Sequence, residues 1–155
     1  KIYETIENGS GFFQHGHTYL GHPVVSAAGY AVVQAILTRN LVPRVRQMGD
    51  KLDKALKARF GSHPHVGDIR GRGLFLALEL VKDRETKTPF DPTIGLAGKV
   101  KKAAFAAGLI CYPMSGTRDG KNGDHVLLAP PFILEDEHID EIVSKLSTAL
   151  AVCLT

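Results

Sequence analysis

Residues 66–81 read VGDIRGRGLFLALELV, and they decide whether the chain contains a sheet. From Leu74 to Val81 the run is dominated by apolar residues and has the length of a strand. Periodicity alone leaves a helix open, but the short run after a Gly-rich entry favours a buried strand. Upstream, GSHPH (61–65) breaks a helix over residues 42–60, whose Val45, Met48, Leu52, Leu56 and Phe60 recur every three or four positions. Before that, Pro23 suits a first helical turn and leads into VVSAAGYAVVQAILTRN (24–40). Apolar residues are too dense there for a thin stripe, which predicts a mostly buried helix. Residues 1–22 are Gly-rich and read as irregular.

Downstream, KDRETKTPFDP (82–92) is a polar loop punctuated by proline. Residues 94–107 predict a small-residue helix ending at Gly108, which fits the C′ position. LICYP (109–113) is a short strand, SGTRDGKNGD (115–124) is rich in turn residues, and HVLLAPP (125–131) is a strand stopped by two prolines. Glu135, Asp136 and Glu137 open a last helix and complement its dipole. Ile139, Ile142, Val143, Leu146, Leu150 and Cys153 supply its core face. The order ααβαββα describes a small sheet with helices packed on it, an α/β or α+β fold.

The 155 residues are 44% hydrophobic and 23% charged, a composition suited to one globular domain. A net charge of +3 is too mild to argue for a nucleic-acid partner. No apolar run reaches the roughly 18 residues of a membrane span, and no signal peptide is visible. Cys111 and Cys153 form no disulfide framework or zinc motif, so a reducing, cytoplasmic setting is expected. The first residue is lysine rather than methionine, which suggests part of a longer protein.

HGHTYLGHP (15–23) is the stretch richest in chemistry. Thr18 offers a hydroxyl, and Gly16 and Gly21 permit tight turns, as a loop approaching a phosphate requires. A metal site at His15, His17 and His22 is the rival reading, but H-x-H-x4-H without Cys or carboxylate neighbours is a poor zinc signature, so no metal is expected. A third reading is a Gly-rich loop whose histidines bond only to backbone. Elsewhere, Arg70 and Arg118 each carry the fork that pairs a carboxylate at two points. Either can equally be a solvated arginine, as Arg72 is expected to be. The Ser, Gly, Asp and Asn residues around Arg118 suggest a mobile loop.

Three stretches, FFQHGHTYLGHPVVSAAG (12–29), DIRGRGLFLALELVKDRET (68–86) and GDHVLLAPPFILEDEHIDEIV (123–143), together resemble the C-terminal part of class III aminotransferases. These are fold-type I enzymes dependent on pyridoxal 5′-phosphate (PLP) and include omega-amino acid:pyruvate transaminases. The resemblance implies transfer of an amino group from an amine or omega-amino acid to a keto acid. It places residues 1–40 in the tail of the large PLP-binding domain and 41–155 in the small C-terminal domain. Thr18, with a backbone N–H of His17 or Thr18, would bind the PLP phosphate of the neighbouring subunit of a homodimer. Arg70 would pair the substrate carboxylate or an acidic switch residue, and Arg118 is the competing carboxylate ligand. The Schiff-base lysine and the aspartate facing the pyridine nitrogen would lie upstream, and Lys1 cannot substitute. Alternatives are a related racemase or aminomutase, or a stand-alone non-catalytic interaction domain.

Overall fold

A computed structural model describes residues 1–154. Contacts divide the chain into two compact units, one of residues Lys1–Arg39 and one beginning at Asn40. The first unit holds α1 (Ile2–Asn8), inside the stretch expected to be irregular, and α2 (Pro23–Thr38). Pro23 stands in the first turn of α2, where its missing N–H costs no hydrogen bond. The helix forms as its pattern predicts, but no residue of it is buried. Val24, Val25, Tyr30, Val32, Val33 and Leu37 are exposed instead. Apolar density measures how much surface a helix has to cover, not what covers it. Large exposed apolar patches drive association. The 155-residue chain is therefore expected to self-associate as its concentration rises in sedimentation runs. A clean monomer throughout would contradict that.

The second unit runs α3 (Leu41–Phe60), β1 (Val66–Arg72), β2 (Phe75–Leu80), α4 (Leu96–Ala106), β3 (Tyr112–Ser115), β4 (Asp124–Leu128) and α5 (Asp136–Cys153), with one 3-10 turn at Pro92–Ile94. The strands form one sheet in the order β1-β2-β4-β3, every pair antiparallel. Helices α3 and α4 contact the sheet, and α5 packs on both. Leu52, Leu56 and Phe60 of α3, Leu78 and Leu80 of β2, Val100 of α4, Val126 of β4, and Leu146 and Leu150 of α5 make the core. The small sheet with helices packed on it that the sequence predicts is present, and its antiparallel pairing makes it the α+β alternative.

The deciding stretch is two strands rather than one. Gly73, at φ 56°, lets the chain reverse between β1 and β2, so 66–81 is a hairpin. In β2, Leu76, Leu78 and Leu80 are buried, whereas Phe75 is exposed and Ala77 and Glu79 are half-buried. Apolar Phe75 and Ala77 on the open face had hidden this period of two. Helix α3 lies directly on the turn: a β-carbon on Gly49 would come within 2.4 Å of the Gly73 carbonyl group. Strand β3 begins at Tyr112, three residues later than the reading of LICYP, because Leu109 to Cys111 serve to leave α4. Gly108, at φ 79°, donates its N–H to the Phe105 carbonyl and ends α4 as expected. Glu135 and His138 cap α5 reciprocally, and Arg44–Glu135 and Lys51–Asp136 ion pairs tie its start to α3.

Candidate functional site

In the first unit, His17 to Gly21 form a tight turn. The Leu20 N–H donates to the His17 carbonyl at 2.9 Å and the His22 N–H to the Tyr19 carbonyl at 3.0 Å. Gly21 sits at φ 72°, in the left-handed region that favours glycine. Thr18 and His17 are both exposed on this turn. Neither of their backbone N–H groups donates to another backbone group among the described residues. A hydroxyl and adjacent unpaired N–H groups make a donor set suited to an oxyanion. The local charge agrees: no Asp or Glu occurs between Glu7 and Asp50. A phosphate at this turn would meet hydroxyl and N–H donors, so the residues present fit that group.

The histidines of the same stretch stack rather than converge. His15 and His17 lie edge to face with ring centroids 5.0 Å apart, and His22 packs against Tyr19 at 5.4 Å. No group of three or more His, Cys, Asp or Glu side chains is gathered for a metal among the described residues. His22 Nδ1 is buried without a partner, beside the first turn of α2.

The arginines fall on the second unit, in different settings. Arg70 lies within β1 rather than at a strand entry, and its Nη1 donates to Asp68 Oδ2 at 2.9 Å and Glu79 Oε2 at 2.8 Å. Asp68 and Glu79 are direct cross-strand partners. Like charges placed opposite one another repel, and Arg70 offsets that by bridging both. The bonds to Glu79 and then Asp68 hold the guanidinium above its usual range. Arg72 is exposed at the end of β1. Sequence reasoning missed Asp68 and Glu79 as partners. The available signal was Glu79 itself, the one charge in β2, which falls opposite Asp68 once the Gly73 turn is recognised.

Arg118 is exposed on the β3–β4 connection, whose hydrogen bonds close a turn. The Asp119 carboxylate accepts from the Asn122 N–H at 2.7 Å, the Asn122 side chain at 2.8 Å and the Lys121 N–H at 3.0 Å. Those bonds, the Asn122 backbone first, lower its pKa to about 2. The Arg118 N–H also donates to the Asn122 carbonyl at 2.9 Å. Arg118 therefore projects from a closed turn. Among the described residues its side chain has no acidic partner within ion-pair distance.

A cavity of about 480 Å³ opens beside Pro130 and Pro131, lined by Leu109, Ile110, Ile133 and Ile142 among others. None of Thr18, His17, Arg70 or Arg118 lines it.

Known proteins resemble this chain over nearly its whole length. Residues 1–150 match the aminotransferase class-III family. An aminotransferase of Gibberella zeae is 44% identical over 155 residues, which is 99% of this chain and 30% of that protein. Among solved structures, an (S)-enantioselective omega-transaminase from Thermomicrobium roseum superposes with a TM-score of 0.86 at 30% identity, over 99% of this chain and 32% of that one. A Bacillus anthracis aminotransferase gives 0.85 at 37% identity, over 97% and 33%. The chain thus spans about a third of the length of the proteins it matches.

Proposed function

Since the chain belongs to the class III aminotransferases, we propose that it is part of a PLP-dependent enzyme moving an amino group from an amine or omega-amino acid to a keto acid. The match across residues 1–150 carries this reading. When bound, PLP supplies the electron sink for the transfer, and the protein supplies position and electrostatics. Residues 1–40 would belong to the tail of the large domain and residues 41–155 to the small C-terminal domain. The Thr18 hydroxyl and the N–H groups of the His17–Thr18 turn hold the phosphate, from across a homodimer interface. Holding that dianion fixes the cofactor ring without taking part in bond changes. The two free thiols suit a cytoplasmic setting, and no helix among the described residues is long and apolar enough to cross a membrane.

Of the two arginines, Arg118 is the better ligand for a substrate carboxylate. Arg70 already answers two carboxylates of its own hairpin through Nη1, so a substrate carboxylate would compete with them for its charge. In the full-length enzyme, Arg118→Ala is expected to raise KM for the keto acid about tenfold, the low end for a charged hydrogen bond at an exposed site. The kcat should stay near that of the parent, as for loss of uniform binding. Arg70→Ala should instead lower thermal stability, because Asp68 and Glu79 are left facing one another, with little change in KM. The reverse pattern in steady-state kinetics would reassign the carboxylate to Arg70.

A further inference from the structure

Residues 82–90, the polar segment after β2, are strapped onto the corner where α3 passes into β1. Within the strap, the Lys82 N–H donates to the Thr88 carbonyl at 2.8 Å, and Asp83 Oδ1 accepts from the Thr86 N–H and hydroxyl, both at 2.7 Å. Arg84 Nη1 donates to the carbonyls of His63 at 3.2 Å and Val66 at 2.9 Å, and Lys87 Nζ donates to the Gly67 carbonyl. From the corner, His65 Nδ1 lies 3.2 Å from the Val81 carbonyl and 3.1 Å from the Lys82 carbonyl. Both are acceptors, so this nitrogen carries the proton. The His65 ring also packs on Phe90 with centroids 5.3 Å apart.

His63 is the odd member of this corner. Its Nδ1 accepts the backbone N–H of His65 at 3.1 Å, so the ring is bound as the neutral form with Nδ1 bare. Its carbonyl holds Arg84. The charged groups acting on it are His65 from the β1 entry, Arg59 from α3 and Arg84 from the strap, with no carboxylate among them. Protonating Nδ1 turns the acceptor of the His65 N–H into a second donor and adds a cation beside Arg59 and Arg84. We infer that His63 is an acid-sensitive latch, holding the 82–90 strap on the α3–β1 corner while neutral and loosening it when protonated.

The direction of the effect follows from the ring's environment. Burial, and then the cations around it, lower the His63 pKa from 6.5. A base with a lowered folded pKa contributes stability that is fully present above its unfolded pKa and is lost as pH falls through the folded one. The latch is closed at neutral pH and opens below the ordinary histidine range.

Hydrogen exchange on the full-length protein tests this, with rates corrected for their intrinsic pH dependence. Between pH 7.5 and 5, protection of residues 81–90 is expected to fall, while β4 and α5 stay unchanged. His63→Asn keeps an acceptor near the Nδ1 position and removes the titration, so its strap should stay protected at pH 5. Should that variant fold poorly, the imidazole of His63 in the parent can be followed by NMR against the Lys82 amide. Coincident midpoints below 6.5 support the latch. A pH-independent strap in the parent, an unchanged acid response in His63→Asn, or a His63 midpoint unrelated to Lys82 would each overturn it.

Discussion

Thr18→Ala in the full-length enzyme is expected to weaken PLP retention by about one to two powers of ten. The substitution removes one hydroxyl donor to a charged phosphate, and a hydrogen bond to a charged group contributes roughly 1.5–3 kcal/mol. Each 1.4 kcal/mol or so is tenfold in affinity. Thr18 is exposed on a turn outside any helix or strand, so the change should leave folding intact. If the hydroxyl reaches the phosphate of a neighbouring subunit, cofactor loss and dimer dissociation are linked, and dilution should promote both. Equilibrium dialysis of PLP at several protein concentrations checks this. A Thr18→Ala protein that retains PLP like its parent would remove the phosphate role from this loop.

The largest effect on stability is expected at Leu78. It is fully buried at the middle of β2, the strand paired with both β1 and β4, and its register partners are Ile69 and Val126. Leu78→Ala removes three carbons from a site bounded by strands that cannot easily close in. Such substitutions cost roughly 2–5 kcal/mol, the upper part applying where the surroundings collapse least. Denaturant unfolding should show a lowered midpoint with the slope retained. Leu127→Ala, on the adjacent strand but half-buried, should cost clearly less. Equal costs at the two positions would mean that the sheet is covered on both faces.

How far the sequence could be read varied with the range of the forces involved. Helices α3, α4 and α5 were legible because their signals are local: periodic apolar residues, Gly108 after α4, and acids at the start of α5. The β1–β2 hairpin was not, because Phe75 and Ala77 on the open face break the alternation that marks a half-buried strand. Gly73 was the clue, and its meaning depends on α3 pressing Gly49 against it. For α2, the pattern predicted burial, but burial needs a partner surface, and no residue of the helix is fully buried here. At the site, Thr18 could be singled out because a hydroxyl between glycines is visible in one dimension. The occupation of Arg70 by Asp68 and Glu79 could not, since it arises from strand register. The hydrogen bonds of the 115–124 turn likewise rest on how Asp119 folds back on its own backbone.

On the proposed function, this chain would contribute the phosphate-holding turn and the small domain of a PLP enzyme, with the reactive lysine outside these residues. The most direct measurement is borohydride reduction in the presence of PLP, followed by peptide mass mapping, on the full-length protein and on the 155-residue chain in parallel. One pyridoxyl group per full-length chain, on a lysine outside this sequence, and no stoichiometric label on the 155-residue chain are the predicted results. A full-length protein that takes up no pyridoxyl group, or a single stoichiometric label on one lysine of the 155-residue chain, would contradict the account.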